Sequence, residues 1–241
     1  MTQHQNPCML ITGASRRLGA SLVAHWLHLG YDVIATYRYE NSVVAALRHQ
    51  GAQMIAVDVS TETGVAKLIN EVNLRTSSLR AIVHNASVWH SDAEMMSSPE
   101  LINTTFSLHL FSPFRINQAL LPLLLEQTGL SDIIFISDAS AHHGKTDKAL
   151  YTASKSAMES LMRSQAIAFA PKVKVNALAP GLLAFHDSDE QAYRLSRLEQ
   201  NLLGVEPGFS PAIRAIDYLI NSSYTTGTRL VVDGGAELKR H

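Results

Sequence analysis

The sequence predicts an α/β fold, a doubly wound arrangement in which a seven-stranded parallel sheet is flanked by helices. Three observations point there. Short runs rich in β-branched and apolar residues alternate with helix-type stretches at short spacing. Runs such as Ile133-Ile134-Phe135-Ile136 are apolar at consecutive positions, the pattern of strands covered on both faces. No linker-like segment, low-complexity tract or fixed-period repeat divides the chain, so 1–241 reads as one domain.

The elements follow in order. Cys8-Met9-Leu10-Ile11 is a buried strand ending in Thr12-Gly13, a tight turn. Leu18, Leu22, Trp26 and Leu29 then recur at spacings of four, four and three, one face of a helix that Gly30 stops. Residues 31–37 form a second strand, 41–50 a helix, and 52–59 a third strand. Ser60 and Thr61 cap a helix through about residue 75. Strands follow at 81–83 and 133–136, with a helix over about 105–126 between them. A long helix spans about 150–169, a strand 173–178, and Ser210-Pro211 opens a helix through 220. Leu230-Val231-Val232 is the last strand.

Composition narrows the class. Twenty Lys and Arg against twenty-one Asp and Glu leave a net charge of −1, which argues against a general polyanion-binding surface and so against a nucleic-acid partner. A single cysteine, Cys8, excludes an intramolecular disulfide framework, and the histidines lack metal-ligand spacing, so no metal is expected. Residues 1–7 have neither a basic nor an apolar region of the signal-peptide kind. The most apolar stretch, 119–125, is seven residues with Pro122 inside it, too short to span a bilayer. A cytoplasmic protein with no membrane partner is the expectation.

Two constellations carry chemistry. Thr12-Gly13-Ala14-Ser15-Arg16-Arg17-Leu18-Gly19 joins the first strand to its helix. Gly13 permits the turn, Gly19 lets the helix approach the sheet, and the helix N-terminus offers backbone N–H groups to a pyrophosphate. Arg17 stands where a middle glycine is usual. The second strand ends in Thr36-Tyr37-Arg38 with no acid for a ribose 2′-hydroxyl. Arg38, with Arg16 and Arg17, suits a 2′-phosphate, and ranks NADPH/NADP ahead of NAD; Glu40 supports the opposing choice. Downstream, Tyr151 and Lys155 lie at i and i+4 on one helical face, where an ammonium is expected to lower the phenol's pKa towards neutrality.

Together these features resemble the short-chain dehydrogenase/reductase family along nearly the whole chain. Thr12-Gly13…Gly19 resembles its cofactor loop, Asp58-Val59 its adenine-pocket pair, and Asn85-Ala86 the segment after its fourth strand. Tyr151-Thr152-Ala153-Ser154-Lys155 resembles its catalytic helix, Pro180-Gly181 its nicotinamide-side turn, and Thr226-Gly227…Val232-Asp233-Gly234-Gly235 its closing strand. The resemblance implies a Rossmann fold and cofactor contacts from Gly13, Arg16, Arg17, Leu18, Gly19, Arg38, Asp58, Val59, Asn85, Ala86, Tyr151, Lys155, Pro180 and Gly181.

The departures point within the family. Thirteen residues before Tyr151, where a serine is general, stands Asp138. With Arg17 in the loop and Trp89 after Asn85-Ala86-Ser87-Val88, the chain resembles the pteridine reductases, and among them the bacterial dihydromonapterin reductases. That implies reduction of 7,8-dihydropterins, with dihydrofolate as a secondary substrate. Asp138, Tyr151 and Lys155 are the implied catalytic set, with Asp138 sharing a proton with the phenol. Arg17, Ser87, Trp89 and Tyr151 are implied to touch the pterin, Trp89 by stacking and Ser87 at the ring's polar edge. His109 takes the position of a relay asparagine and is set aside as a core histidine; His142 and His143 read as solvated. Residues 185–208 read as a substrate lid, and the basic tail 237–241 as a segment that reaches a neighbouring subunit. A homotetramer is implied by resemblance alone. A carbonyl or 3-oxoacyl reductase, and a non-catalytic NADP-sensing regulator, remain the alternatives.

Overall fold

The computed structural model describes residues 6–239; the reading of residues 1–5 and of the tail end at 240–241 lies outside them. Seven parallel strands form one sheet in the order β3-β2-β1-β4-β5-β6-β7. They are β1 (Cys8–Ile11), β2 (Asp32–Tyr37), β3 (Gln53–Ala56), β4 (Ala81–His84), β5 (Ser131–Ile136), β6 (Val173–Pro180) and β7 (Arg229–Val232). The helices are α1 (Arg17–His28), α2 (Ser42–His49), α3 (Glu62–Arg75), α4 (Asp92–Ser97), α5 (Glu100–Phe106), α6 (Ser112–Leu125), α7 (Ala149–Phe169), α8 (Gln191–Leu198) and α9 (Ser210–Asn221).

The two-residue period of the strands divides the core. Leu10, Ile34, Ile82, Ile133, Phe135 and Val175 face one side, under Leu68 of α3, Leu120 of α6 and Met158 and Met162 of α7. Met9, Ile11, Val33, Val83, Ile134 and Ile136 face the other, under Leu22 and Trp26 of α1 and Ile216 and Leu219 of α9. Each fully buried Leu or Ile contributes about 1.5–3 kcal/mol of transfer free energy. The buried Trp26 indole N–H donates to Asp217 Oδ1 at 3.2 Å, so α1 and α9 are also joined by a polar contact.

Three expectations change. The third strand ends at Ala56, because Asp58 Oδ1 accepts from Ser60 N and Oγ at 2.9 and 2.7 Å and turns the chain. The helix expected over 105–126 is instead α5, a π-helical turn at Ser107–Phe111, and α6, with α4 ahead of them. Its extra residue is invisible to a 3.6-residue pattern, and such turns recur at functional sites. His142 and His143 are not simply solvated: His142 Nε2 lies 3.1 Å from Glu159 Oε2, and His143 Nε2 lies 3.8 Å from Glu237 Oε1.

The strand order reverses between β1 and β4, which opens a crevice at the carboxyl ends of those strands. The Thr12 hydroxyl knits the crevice floor by accepting from Asn85 N and Ala86 N, both at 3.1 Å.

Candidate active site

The first loop is built for close approach. Asn85 Nδ2 donates to Gly13 O at 2.7 Å and to Thr12 O at 3.1 Å, while Gly13 N donates to Thr36 Oγ1 at 3.0 Å. Gly13 has a φ of +73°, and a Cβ there would lie 2.7 Å from Ala86 Cα. A Cβ on Gly19 would lie 2.3 Å from Gly13 O. The N-terminus of α1 has no side-chain cap and no acid in its first turn, an arrangement that suits an anion. Leu18 and Val59 turn their side chains into the core, leaving only their backbones to a ligand.

The arginines behave differently from one another. Arg17 holds a φ of +53°, a left-handed conformation that costs a side-chain-bearing residue about 1–2 kcal/mol. This accounts for the glycine usual at the position. Its guanidinium donates to Ala184 O at 2.6 Å and Phe185 O at 3.3 Å and sits 5.6 Å from the centroid of Phe209. The expectation that Arg16, Arg17 and Arg38 converge on phosphates is thereby corrected: Arg17 is held by the half-buried carbonyls of the chain after β6. Arg16 is exposed. Arg38 lies over the Tyr39 ring at 4.7 Å and 3.8 Å from Asp58 Oδ2, an exposed pair of little energetic weight. Glu40 is taken up by Arg48, at 2.9 Å, leaving Arg38 as the charged group at the end of β2.

Asp138, two residues past β5, meets α7. The Tyr151 hydroxyl donates to Asp138 Oδ2 at 2.9 Å, while Asp138 Oδ1 accepts from Ser140 N and Oγ at 2.7 and 2.6 Å. One carboxylate oxygen thus caps a short 3-10 turn and the other holds the phenol. Lys155, fully buried, donates from Nζ to Ile136 O at 2.8 Å. Burial pulls its ammonium down to about 8, against the opposing carboxylates of Asp138 and Glu159. The expected lowering of the phenol does not hold. Tyr151 is pushed well above its ordinary value, first by burial and then by the Asp138 carboxylate it bonds. The Lys155 ammonium lies 5.9 Å from the ring centroid and does not offset them.

A cavity of about 320 Å³ opens beside this pair, walled by Asp138, Trp89, Lys145, Pro180, Gly181 and Arg197 among others. Trp89 is 52% exposed, and the Lys148 ammonium lies 3.7 Å from its ring centroid, so one indole face already carries a cation. Ser87 is exposed in the loop after β4, three residues past its end, and bonds His109 Nε2 at 2.7 Å.

Sequence reasoning missed Glu159 and Arg229. Glu159 is buried on α7, one turn beyond Lys155. It accepts from Ser137 Oγ at 2.5 Å and from Arg229 Nε at 3.0 Å. Arg229 Nη2 also donates to Ala139 O at 2.9 Å and Asp138 O at 3.3 Å, and pairs with Glu237 at 2.5 Å. This ties the Asp138 turn to β7 and holds Glu237 within its own chain. The i, i+4, i+8 run Tyr151-Lys155-Glu159 was the available signal. His109, set aside as a core histidine, is fully buried as that reading had it, and its ring meets Tyr151 edge-on at 5.6 Å.

The family model described as short chain dehydrogenase matches residues 7–192. The chain belongs to the short-chain dehydrogenase/reductase family. This short-chain oxidoreductase is 38% identical over 240 residues to a protein named dihydromonapterin reductase from Klebsiella pneumoniae subsp. pneumoniae, covering 99% of this chain and 100% of that one. It is 37% identical over 232 residues to one so named from Escherichia coli, covering 96% and 97%. Among solved structures, 4-hydroxyisoleucine dehydrogenase complexed with NADH matches with a TM-score of 0.88 at 21% identity, over 97% of this chain and 99% of that one. A short-chain dehydrogenase/reductase from Burkholderia xenovorans matches at 0.84 and 23%, over 98% and 100%. These solved structures share the Rossmann fold with it.

Proposed function

We propose that this reductase uses NADPH to reduce 7,8-dihydropterins, dihydromonapterin first among them, with dihydrofolate as a weaker substrate. The observation that carries the reading is the Tyr151–Asp138 bond of 2.9 Å beside a cavity walled by Trp89. A phenol held by a carboxylate suits protonation of a ring nitrogen as a C=N bond is reduced. The near-full-length likeness to proteins named dihydromonapterin reductase points the same way.

The crevice fits a nicotinamide dinucleotide. Gly13, Gly19 and the uncapped start of α1 leave room and donors for a pyrophosphate, with Asn85 and Ala86 on the facing loop. Arg16 and Arg38 flank the 2′-phosphate end, Asp58-Val59 the adenine, and Pro180-Gly181 the nicotinamide. NADPH, when bound, supplies the hydride for pterin C6. Tyr151, or a water it orders, gives the N5 proton. Asp138 orients that hydroxyl and shares its proton, and Lys155 binds the nicotinamide ribose. Trp89 stacks on the ring. Residues 185–208 act as a lid over the cavity. Its base is held by the Arg17 contacts and by Phe185 N to Glu206 Oε1 at 2.8 Å, while α8 within it buries no residue. The enzyme is read as one domain, since no linker or repeat divides the chain, as cytoplasmic, and, on family grounds alone, as homotetrameric. Among the described residues no helix is long and apolar enough to cross a membrane.

Steady-state assays with dihydromonapterin, dihydrobiopterin and dihydrofolate test this reading. Turnover with NADPH is expected, and Arg38→Ala is expected to raise the KM for NADPH about tenfold or more while changing that for NADH little. Absence of turnover with all three pterins overturns the substrate assignment; equal losses for both cofactors overturn the 2′-phosphate contact.

The buried ammonium predicts a pH dependence. Lys155 is charged below about 8 and neutral above it, so kcat/KM is expected to fall as pH rises through about 8. Lys155→Arg, whose guanidinium stays charged, should lower activity but flatten that limb. A wild-type profile level to pH 9.5 would remove the charge requirement.

A further inference from the structure

The π-helical turn at Ser107–Phe111 carries His109 into the space between Ser87 and α7. Its two ring nitrogens each have one serine partner. Nδ1 lies 2.7 Å from Ser154 Oγ, and Nε2 lies 2.7 Å from Ser87 Oγ. Each hydroxyl has a single proton, so the chain of bonds has a direction. Ser154 Oγ lies 2.6 Å from Tyr151 O, one turn back on α7. A carbonyl only accepts, so the Ser154 proton lies on that bond. Ser154 then accepts from His109, which puts the ring proton on Nδ1. Nε2 is left as an acceptor and takes the Ser87 proton. The competing acceptor of Ser87, Val88 O, is more distant at 3.3 Å. The ring is neutral: burial first, then the nearby Lys155 cation, hold its pKa well below the ordinary value.

We propose that His109 is a positioning residue that fixes the direction of the Ser87 hydroxyl. Ser87 then presents only lone pairs to the site and selects a ring edge that offers an N–H donor. This rests on the pterin reading and deepens it. The 2-amino group and N3–H of a dihydropterin are such donors, whereas a carbonyl or unprotonated ring nitrogen placed there meets a lone pair. Tyr151, whose carbonyl anchors the chain and whose hydroxyl faces Asp138, belongs to both the polarity chain and the proton site.

Two measurements test this. Long-range ¹H–¹⁵N spectra of histidine-labelled enzyme, with His109→Phe identifying the signal, are expected to show the Nδ1–H tautomer. The Nε2–H tautomer or an imidazolium at pH 7 overturns the proposal. The second measurement is binding of three probes to the NADP-loaded enzyme: pterin, lumazine (2-oxo for 2-amino) and 2,4-diaminopteridine (4-amino for 4-oxo). Wild type is expected to favour the donor-bearing member of one pair by about tenfold or more. Ser87→Ala and His109→Phe should bring that ratio within about threefold of unity, whereas His109→Gln, whose amide oxygen can still accept from Ser87, should keep the preference. A merely structural role for His109 would weaken all three probes alike. Binding with an unchanged ratio in His109→Phe overturns the assignment to His109. Failure of all three probes to bind wild type defeats the pterin reading, and the substrate half of this proposal with it.

Discussion

Replacing Tyr151 with Phe is expected to lower turnover of dihydromonapterin by about 10²–10⁴-fold, the range for losing a positioned proton donor. Tyr151 is 5% exposed, and Phe keeps its volume and packing, so the fold and NADPH affinity should hold. The hydroxyl donates to Asp138 Oδ2 at 2.9 Å and its proton is held well above the ordinary phenol range by burial and that carboxylate. In the free enzyme Tyr151 is therefore a protonated donor across the physiological range rather than a phenolate. That polarity suits reduction, in which the substrate gains a proton. Single-turnover oxidation of bound NADPH measures the step directly. Asp138→Asn separates the two groups: it keeps the phenol but removes the charge, and a smaller loss than that of Tyr151→Phe is expected. A Tyr151→Phe enzyme within tenfold of wild type would place the proton source elsewhere.

The largest stability effect is expected at Arg229. Its side chain is 12% exposed and bonds Glu159, which is 2% exposed, at 3.0 Å. Arg229→Ala leaves the Glu159 carboxylate buried with Ser137 and His142 as its remaining partners, and leaves Ala139 O without its 2.9 Å donor. Removing one member of a buried ion pair costs about 3–5 kcal/mol. In a chain of this size that lowers Tm by roughly 10 °C. The double variant Arg229→Met/Glu159→Gln should recover more than half of the loss, because the penalty lies in the uncompensated charge rather than in the missing bond. A drop below about 1 kcal/mol by urea unfolding would show that solvent already screens Glu159. Activity should fall as well, since Arg229 also holds the backbone of Asp138 at 3.3 Å.

The parts of the site that the sequence made legible are short-range. Tyr151 and Lys155 share a face because the helix repeats every 3.6 residues, and α7 spans Ala149–Phe169 as its pattern indicated. The Thr12–Gly19 turn follows from a buried strand running into a helix through a glycine that must hold a positive φ. Asp138 was placed beside Tyr151 by its register within a family resemblance, and the 2.9 Å bond agrees. Arg17 was legible as a departure but not in its destination. Its partners at Ala184 and Phe185 lie more than 160 residues away, and nothing local aims a long side chain at them.

The strand order that opens the crevice is a fact of the tertiary structure; the sequence by itself determined the parallel sheet and the glycine turn between β1 and α1. Those depend on apolar periodicity and turn chemistry, which act over a few residues. The tertiary structure alone decided protonation and polarity. It raised the Tyr151 phenol instead of lowering it, assembled Glu159 and Arg229 across 70 residues, and enclosed His109 between two serines 67 residues apart. Desolvation and the direction of a hydrogen-bond chain depend on every group packed around a side chain. They come into being only when the distant segments meet.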